Sequence, residues 1–566
     1  MHILGVNCGH DASACLLADG EIVAIAAEER FTRIKHDSGF PMSAAGFCLE
    51  AAGIDAHDID VLAIAQTRMP LGMERHLRLS AQQQAGIDAA RPVALRAAQM
   101  LRRGELGDLP HFVERLALAP ECRLEHVEHH RCHAAAAYFT RSSDSPCLVL
   151  TIDGIGDGVS TAVWYGEGGT VTPLARWGRE GSLGWFYGMV TEALGWQHGD
   201  GEGTTMALAA YGDPTRVLDR LAPFHPTYER GALKVPHDFG RPTEWNRHGM
   251  LQWHFPEADG IRRLADEHSA ADVAAAAQEI LERQVRGLVQ HWLADRSTRR
   301  LACAGGVFLN VKLNQRIWYE NDLDEHWIVP DAGDSGLALG AALHAWHAGT
   351  SRPPRPLTHL SFGPSYADDA VREVLDARRL AYRRTSDPSG EAARLLAEGK
   401  IVGWFQGRME AGPRALGNRS ILMSPLAATN KDVLNARVKF RESFRPFCPS
   451  ISAEHAVNYL QGGRAEDFMI TSFRVAADKR ERIPAVVHVD GTLRPQTVRR
   501  DANPPLHALL DRFGRLTGEH AIINTSFNVK GEPIVCTPRD AIRCFFDTGL
   551  DALVMGGFVM EKSGAP

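Results

Sequence analysis

The stretch Val127-Glu128-His129-His130-Arg131-Cys132-His133-Ala134-Ala135-Ala136-Ala137-Tyr138 constrains this chain more than any other. An alanine run after histidines favours a helix. In a helix starting near His129, His129 and His133 stand four residues apart and put both rings on one face, close enough to share a metal ion. His130 falls on a different face. Two ligands do not complete a site. Asp153 and Asp334, each flanked by glycine after an apolar run that reads as a strand, are the candidates to complete it. Taken alone, the histidines also read as polar residues at a helix start.

A chain of 566 residues is too long for one core, so two or more domains are expected. The formal net charge of −7 argues against a dedicated nucleic-acid binder. The 10 cysteines form no Cys-x-x-Cys pair, and buried thiols of a cytoplasmic protein are expected. The start shows no signal-peptide pattern, and no apolar run reaches the length of a membrane span.

In the first half, residues 3–17 read as a hairpin around the polar loop 7–13, with a third strand at 21–26. Such a loop can aim amides and a hydroxyl at an anion, and His10 projects into it as a proton acceptor. Residues 28–36 form a charged exit in which Lys35 and the arginines suit an anionic or polyhydroxylated ligand, or a solvated face. A helix is expected over 42–53 and a strand over 60–65. Residues 67–118, rich in Arg, Gln, Leu and Ala, read as helices interrupted by Pro92 and Pro110, an insertion suited to a pocket wall. Residues 147–152 are a buried strand ending in Asp153-Gly154-Ile155-Gly156-Asp157-Gly158, and a second strand follows at 160–165. This strand, acid-and-glycine turn, strand pattern resembles the phosphate cradle of the actin, sugar-kinase and Hsp70 class, and the hairpin at 3–17 has the same shape, which suggests two related lobes. Further on, a strand at 300–304 enters Gly305-Gly306, a glycine pair that lets a base or ribose lie against the main chain, with Asn310 and Asn314 to cap or contact it.

Residues 350–364, with four prolines, read as a linker. Beyond it a strand at 401–405 leads into Gly407-Arg408-Met409-Glu410-Ala411-Gly412-Pro413-Arg414-Ala415-Leu416-Gly417-Asn418-Arg419. More cations, interleaved with aromatics, follow in Lys439-Phe440-Arg441-Glu442-Ser443-Phe444-Arg445-Pro446-Phe447, and Arg494 and the turn Asn524-Thr525-Ser526-Phe527-Asn528 come after them. A polyphosphate with a second small anion accounts for this collection, because guanidinium forks bind phosphate oxygens in pairs. Nucleic acid and surface ion pairing are the competing explanations.

These motifs, in this order, resemble the NodU/CmcH-type O-carbamoyltransferases over nearly the whole chain. The resemblance implies an α/β architecture. Residues 1–350 would be an actin/Hsp70/sugar-kinase-like domain, akin to the one that transfers threonylcarbamoyl to tRNA, and residues 365–566 a YrdC-like domain that forms carbamoyl-adenylate. It puts an iron(II)-type metal on His129, His133, Asp153 and Asp334, and makes His10 the base that deprotonates the acceptor. Lys35, Lys439, Arg445 and Ser526, with Arg414, Arg419 and Arg494 beside them, would bind substrates. Gly154, Gly305, Gly306, Asn310 and Asn524 would line nucleotide sites. Two departures from the family pattern stand out: Ala411 where Phe is usual, and Thr204 and Ala207 where Lys and Gly are usual.

The implied reaction joins carbamoyl phosphate and ATP into carbamoyl-adenylate, with magnesium, and transfers the carbamoyl group to a hydroxyl of a small-molecule natural product. No nucleic-acid or membrane partner is expected, and a homodimer is compatible. The rivals are a sugar-kinase-type phosphotransferase, a nucleotide-gated metal sensor, and tRNA modification by the same chemistry. The insertion at 67–118 is expected to choose the acceptor.

Overall fold

The structure is a computed structural model that describes residues 1–67, 109–236, 243–247 and 250–562. Most of the expected insertion, residues 68–108 with Pro92, lies outside the described residues. Its end is the helix Leu109–Leu116. The described chain forms two compact units: Met1–Glu28 with His36–Pro356, and Glu29–Lys35 with Leu357–Pro566.

The first unit is built on two five-stranded sheets with one plan. In the first sheet the order is Glu21–Ala27, Ser13–Ala18, His2–Asn7, Val61–Ile64, Arg123–His126. The first three strands run antiparallel, and the last two are parallel to His2–Asn7. In the second sheet the order is Thr170–Trp177, Val159–Glu167, Cys147–Gly156, Arg300–Ala304, Glu325–Ile328, with the same alternation of sense. The expectation of two related lobes from the hairpin shapes therefore has a counterpart in the connectivity. Central strands covered on both faces must be apolar throughout, and residues 147–152 are all buried.

The histidine helix spans His129–Phe139. The Glu128 side chain caps it, accepting from the amides of His130 and Arg131. It packs against the helix Leu337–Thr350 so closely that a Cβ at Gly340 would stand 2.0 Å from the Cys132 carbonyl oxygen. His129, Asp334 and the loop at His10 follow strands at their carboxyl ends, and Asp153 lies toward the carboxyl end of the strand Cys147–Gly156, where open α/β sheets gather ligands.

The second unit carries an eight-stranded mixed sheet in the order Arg383–Arg384, Phe558–Glu561, Ala552–Met555, Val402–Phe405, Arg419–Met423, Ala521–Ser526, Cys448–Ser452, Gln496–Val498. Helices Pro388–Ala397 and Pro504–Thr517 each begin with proline behind a side-chain cap, Asp387 and Asn503. They bury Leu395, Leu396, Leu506, Leu509, Leu510 and Phe513 in one core with Trp404, Leu422 and Ile522 of the sheet. None of the ten cysteines is in a disulfide, and all but Cys122 are buried. Among the described residues no helix is long and apolar enough to cross a membrane.

Candidate functional site

In the first unit the two helix histidines meet two carboxylates. The Nε2 atoms of His129 and His133 lie 3.2 and 3.1 Å from Oδ2 of Asp153, and 3.6 and 3.7 Å from Oδ1 of Asp334. One ligand atom from each of these four residues falls within 4.8 Å of every other. The local sequence arranges this. Asp157 Oδ2 accepts from the amide of His129 at 3.0 Å and holds the helix start. The ring of His129 occupies the space a side chain at Gly156 would need, since a Cβ there would lie 2.0 Å from the imidazole Cγ. Gly305 has φ +100°, open to glycine at little cost, and sits against the Ile152 carbonyl, while Gly306 packs on the Asp153 carboxylate. His130 turns away, as its position on the helix implies, and bonds Thr151 Oγ1 at 2.9 Å and the Val159 carbonyl at 3.0 Å.

Burial alone pulls the His133 pKa down, but its contacts with Asp153 and Asp334 carry it up to about 9. Burial raises the Asp153 carboxyl, but His129 and His133 overcome this and hold it well below the usual range. Burial and the neighbouring Asp153 raise Asp334. Burial holds His130 neutral, far below the ordinary histidine range.

His10 lies on the loop after the first strand, half-exposed, with Nδ1 2.8 Å from Asp11 Oδ2. Asn7, buried at the strand end, ties this loop to the cluster: its Nδ2 donates to the carbonyls of His10, Asp11 and Asp334 at 2.8, 3.2 and 3.1 Å. Gly154 packs against Trp185. Asn310 caps the helix Val311–Glu320 and exchanges hydrogen bonds with Gln278, so its amide is engaged by the fold.

In the second unit Arg414, Arg441, Arg445 and Arg494 come together around Cys448. The Nε of Arg494 donates to Cys448 Sγ at 2.8 Å. Burial, with Arg494 and Arg445 nearby, pulls Arg414 down to about 9, and burial with Arg445 and Arg494 does the same to Arg441. The guanidinium of Arg441 lies over the Phe447 ring, 4.5 Å from its centroid. Lys439 is buried, with Nζ donating to Ser526 O and Oγ and to Asn528 O and Oδ1 at 2.7–3.2 Å. Burial, then Arg441 and Arg445, depress its ammonium strongly, with Lys35 a lesser contributor. Crowded, partly desolvated cations of this kind favour an anion among them.

Two expected binders sit differently. Arg419 is fully buried over the Phe405 ring, 3.7 Å from its centroid, and donates to the carbonyls of Gln406, Gly407, Asn418 and Pro364. Its fork closes the loop and does not face the arginine cluster. Asn524 is buried in a polar knot with Ser450 and Gln496. Arg441 is not among the expected binders, although the cation-and-aromatic run 439–447 that contains it is.

Comparison with known proteins bears on both units. The family described as Carbamoyltransferase N-terminus matches residues 2–343, and Carbamoyltransferase C-terminus matches residues 393–562. The nodulation protein NolNO of Sinorhizobium fredii is 37% identical over 98% of this chain and 79% of its own. NolO of Bradyrhizobium diazoefficiens is 38% identical over 78% of this chain and 79% of its own. An uncharacterized Synechocystis protein is 35% identical over 100% of this chain and 97% of its own. Component A of (R)-2-hydroxyglutaryl-CoA dehydratase from Acidaminococcus fermentans superimposes on 62% of this chain and 98% of its own at 18% identity, but a TM-score of 0.34 is too loose to carry an argument. The family match spans nearly the whole chain, and the chain belongs to the carbamoyltransferase family and is a carbamoyltransferase enzyme.

Proposed function

We propose that this carbamoyltransferase works in two steps, one in each unit, and acts on a hydroxyl of a small-molecule natural product. The observation that carries the reading is the presence on one chain of a buried two-histidine, two-aspartate cluster and, in the other unit, an arginine cluster beside a buried lysine. In the second unit, which we read as YrdC-like, Arg414, Arg441, Arg445, Arg494, Lys439 and Ser526 hold the phosphates of carbamoyl phosphate and ATP. Lys35 belongs to this unit and reinforces the positive field. Water attacks carbamoyl phosphate, the bond between the carbamoyl group and the phosphate breaks, and phosphate and a proton leave carbamate behind. A carbamate oxygen then bonds to the α-phosphorus of ATP, and pyrophosphate departs. The guanidinium groups offset the charge that builds up at that phosphorus, and a magnesium ion bound with the ATP would add to this.

The duplicated sheets support reading the first unit as ATPase-like, with the main chain at Gly154, Gly305 and Gly306 against the nucleotide. Two imidazole nitrogens and two carboxylate oxygens within reach of one point suit a divalent cation of the iron(II) type, which would take the place of the proton on His133. An ion held by His129, His133, Asp153 and Asp334 would supply Lewis acidity to the carbamoyl oxygen. The proton transfer is assigned to His10, whose Nε2 takes the acceptor's hydroxyl proton. The acceptor oxygen bonds to the carbamoyl carbon, and AMP leaves with the electron pair of its bond to that carbon. Nodulation proteins among the relatives favour tailoring of a hydroxylated natural product. The buried cysteines, none in a disulfide, favour a reducing compartment such as the cytoplasm.

Nucleotide product analysis tests this. The protein is incubated with ATP, magnesium and iron(II), with and without carbamoyl phosphate. AMP and pyrophosphate are expected only with carbamoyl phosphate, and neither is expected from Arg445→Ala. ADP, or formation of AMP independent of carbamoyl phosphate, contradicts the reading.

A further inference from the structure

Beside the metal-type cluster, the first unit holds a second constellation that the reaction above uses only in part. The Asp11 carboxylate bridges two imidazoles: Oδ2 lies 2.8 Å from Nδ1 of His10, and Oδ1 lies 2.7 Å from Nδ1 of His36. The two rings stack with centroids 5.3 Å apart and planes 17° from parallel. Asp11 has φ +55° and His36 φ +54°, left-handed conformations that carry a cost for residues other than glycine. The chain is tied locally to keep them there. The Ala12 amide donates to the Asp37 carbonyl at 2.9 Å, and Asn7 Nδ2 donates to the carbonyls of His10 and Asp11. On its far side His36 Nε2 stands 3.5 Å from Asp200 Oδ1.

We propose that Asp11 and His36 are positioning residues for the base His10: Asp11 fixes its tautomer and orientation through Nδ1, and His36 shares the same carboxylate and so limits how basic His10 becomes. This rests on the assignment of His10 as the proton acceptor. A hydrogen bond from Nδ1–H to Asp11 leaves Nε2 as the acceptor in the neutral ring. A carboxylate serving one imidazole alone would make that imidazole a stronger base and a poorer proton donor afterwards. One serving two divides its effect, and a charged His36 opposes the charge on His10. The directions agree. Asp11 raises His10 most, against burial and His36, with Asp334 adding a little. Burial raises the Asp11 carboxyl, but the two histidines hold it well below the usual range. Among the described residues, other ionisable groups that face the pair include His198, which feels His10, and Asp200 and Glu202, which face His36.

The test uses the full chain labelled with 15N-histidine. Two-bond proton–nitrogen correlations report the tautomer and titration of each ring, and the His10 signals are those lost in His10→Gln. The expected result is an Nδ1–H tautomer for neutral His10 in the unmodified protein. Its titration midpoint should move down in Asp11→Asn and up in His36→Phe, a pair of opposite shifts that a merely structural role does not produce. The unmodified protein is informative even if a variant fails to fold: an Nε2–H tautomer overturns the proposal. So do midpoints that stay put in both folded variants, or a divalent ion whose binding is lost in His36→Phe, which would make this trio a metal site. If the tautomer and shifts hold while His10→Gln keeps full carbamoyl transfer, the base assignment fails and the positioning geometry stands.

Discussion

At the scale of single residues, side chains of one chemical type divide by what they touch. Arg419 and Arg445 are both arginines of the second unit. Arg419 donates to four carbonyls in the interior, whereas Arg445 is partly exposed and 3.9 Å from Glu442. Arg419→Ala is therefore expected to cost about 3 kcal/mol of stability, through carbonyls left without a donor. Arg445→Ala should leave the melting temperature near its original value and abolish carbamoyl-phosphate-dependent AMP formation. Calorimetry with product analysis separates the two. Gly156→Ala places a methyl group on the His129 ring, and metal affinity measured by competition with a chelator should fall about 10- to 100-fold. His133 gives a pH signature. Its folded pKa of about 9 exceeds the ordinary value of about 6.5. Protonation therefore stabilises the metal-free fold below about 6.5, and that contribution is lost as pH rises through about 9. A metal must expel that proton, so affinity should rise with pH and level off above about 9, with proton release detected by titration calorimetry in buffers of different ionisation enthalpy. Affinity independent of pH over that range would contradict the assignment.

At the scale of elements, the sequence carries the helix that starts at His129, the strand that brings in Asp153 (although it runs on to Gly156), the strand that ends before Gly305, and the matching hairpins of the two sheets, because period, caps and glycine turns are local. Which arginines converge is not local. Near neighbours in the chain, Asn435, the Pro446 carbonyl and the Phe447 ring, hold the Arg441 guanidinium, but Arg494, which meets it there, comes from a distant strand end. Arg419 is drawn inward by the loop carbonyls. The engagement of the Asn310 side chain depends on Gln278, 32 positions away in the chain. The loop after Glu410 is held by that side chain, whose Oε1 accepts from the amides of Leu416, Asn418 and Arg419 at 2.7, 2.6 and 3.3 Å. Glu410→Ala frees these donors and loosens the loop that carries Arg414. Carbamoyl-phosphate-dependent AMP formation should drop at least about tenfold, the effect of about 1.4 kcal/mol in the barrier, while metal affinity in the first unit stays unchanged.

At the scale of the whole molecule, the proposed function divides two chemistries on one chain: adenylation among the arginines of the second unit, and transfer at the histidine–aspartate cluster of the first. A kinase-type explanation covers the glycine-and-acid turns but leaves the arginine cluster and Lys439 without a task. Isotope exchange between pyrophosphate and ATP, driven by carbamoyl phosphate with no acceptor present, separates the halves most directly. Exchange is expected in the unmodified enzyme, retained in His133→Ala and Asp153→Asn, and absent from Arg445→Ala. Exchange lost in all three variants, or kept in Arg445→Ala, would contradict the division of labour.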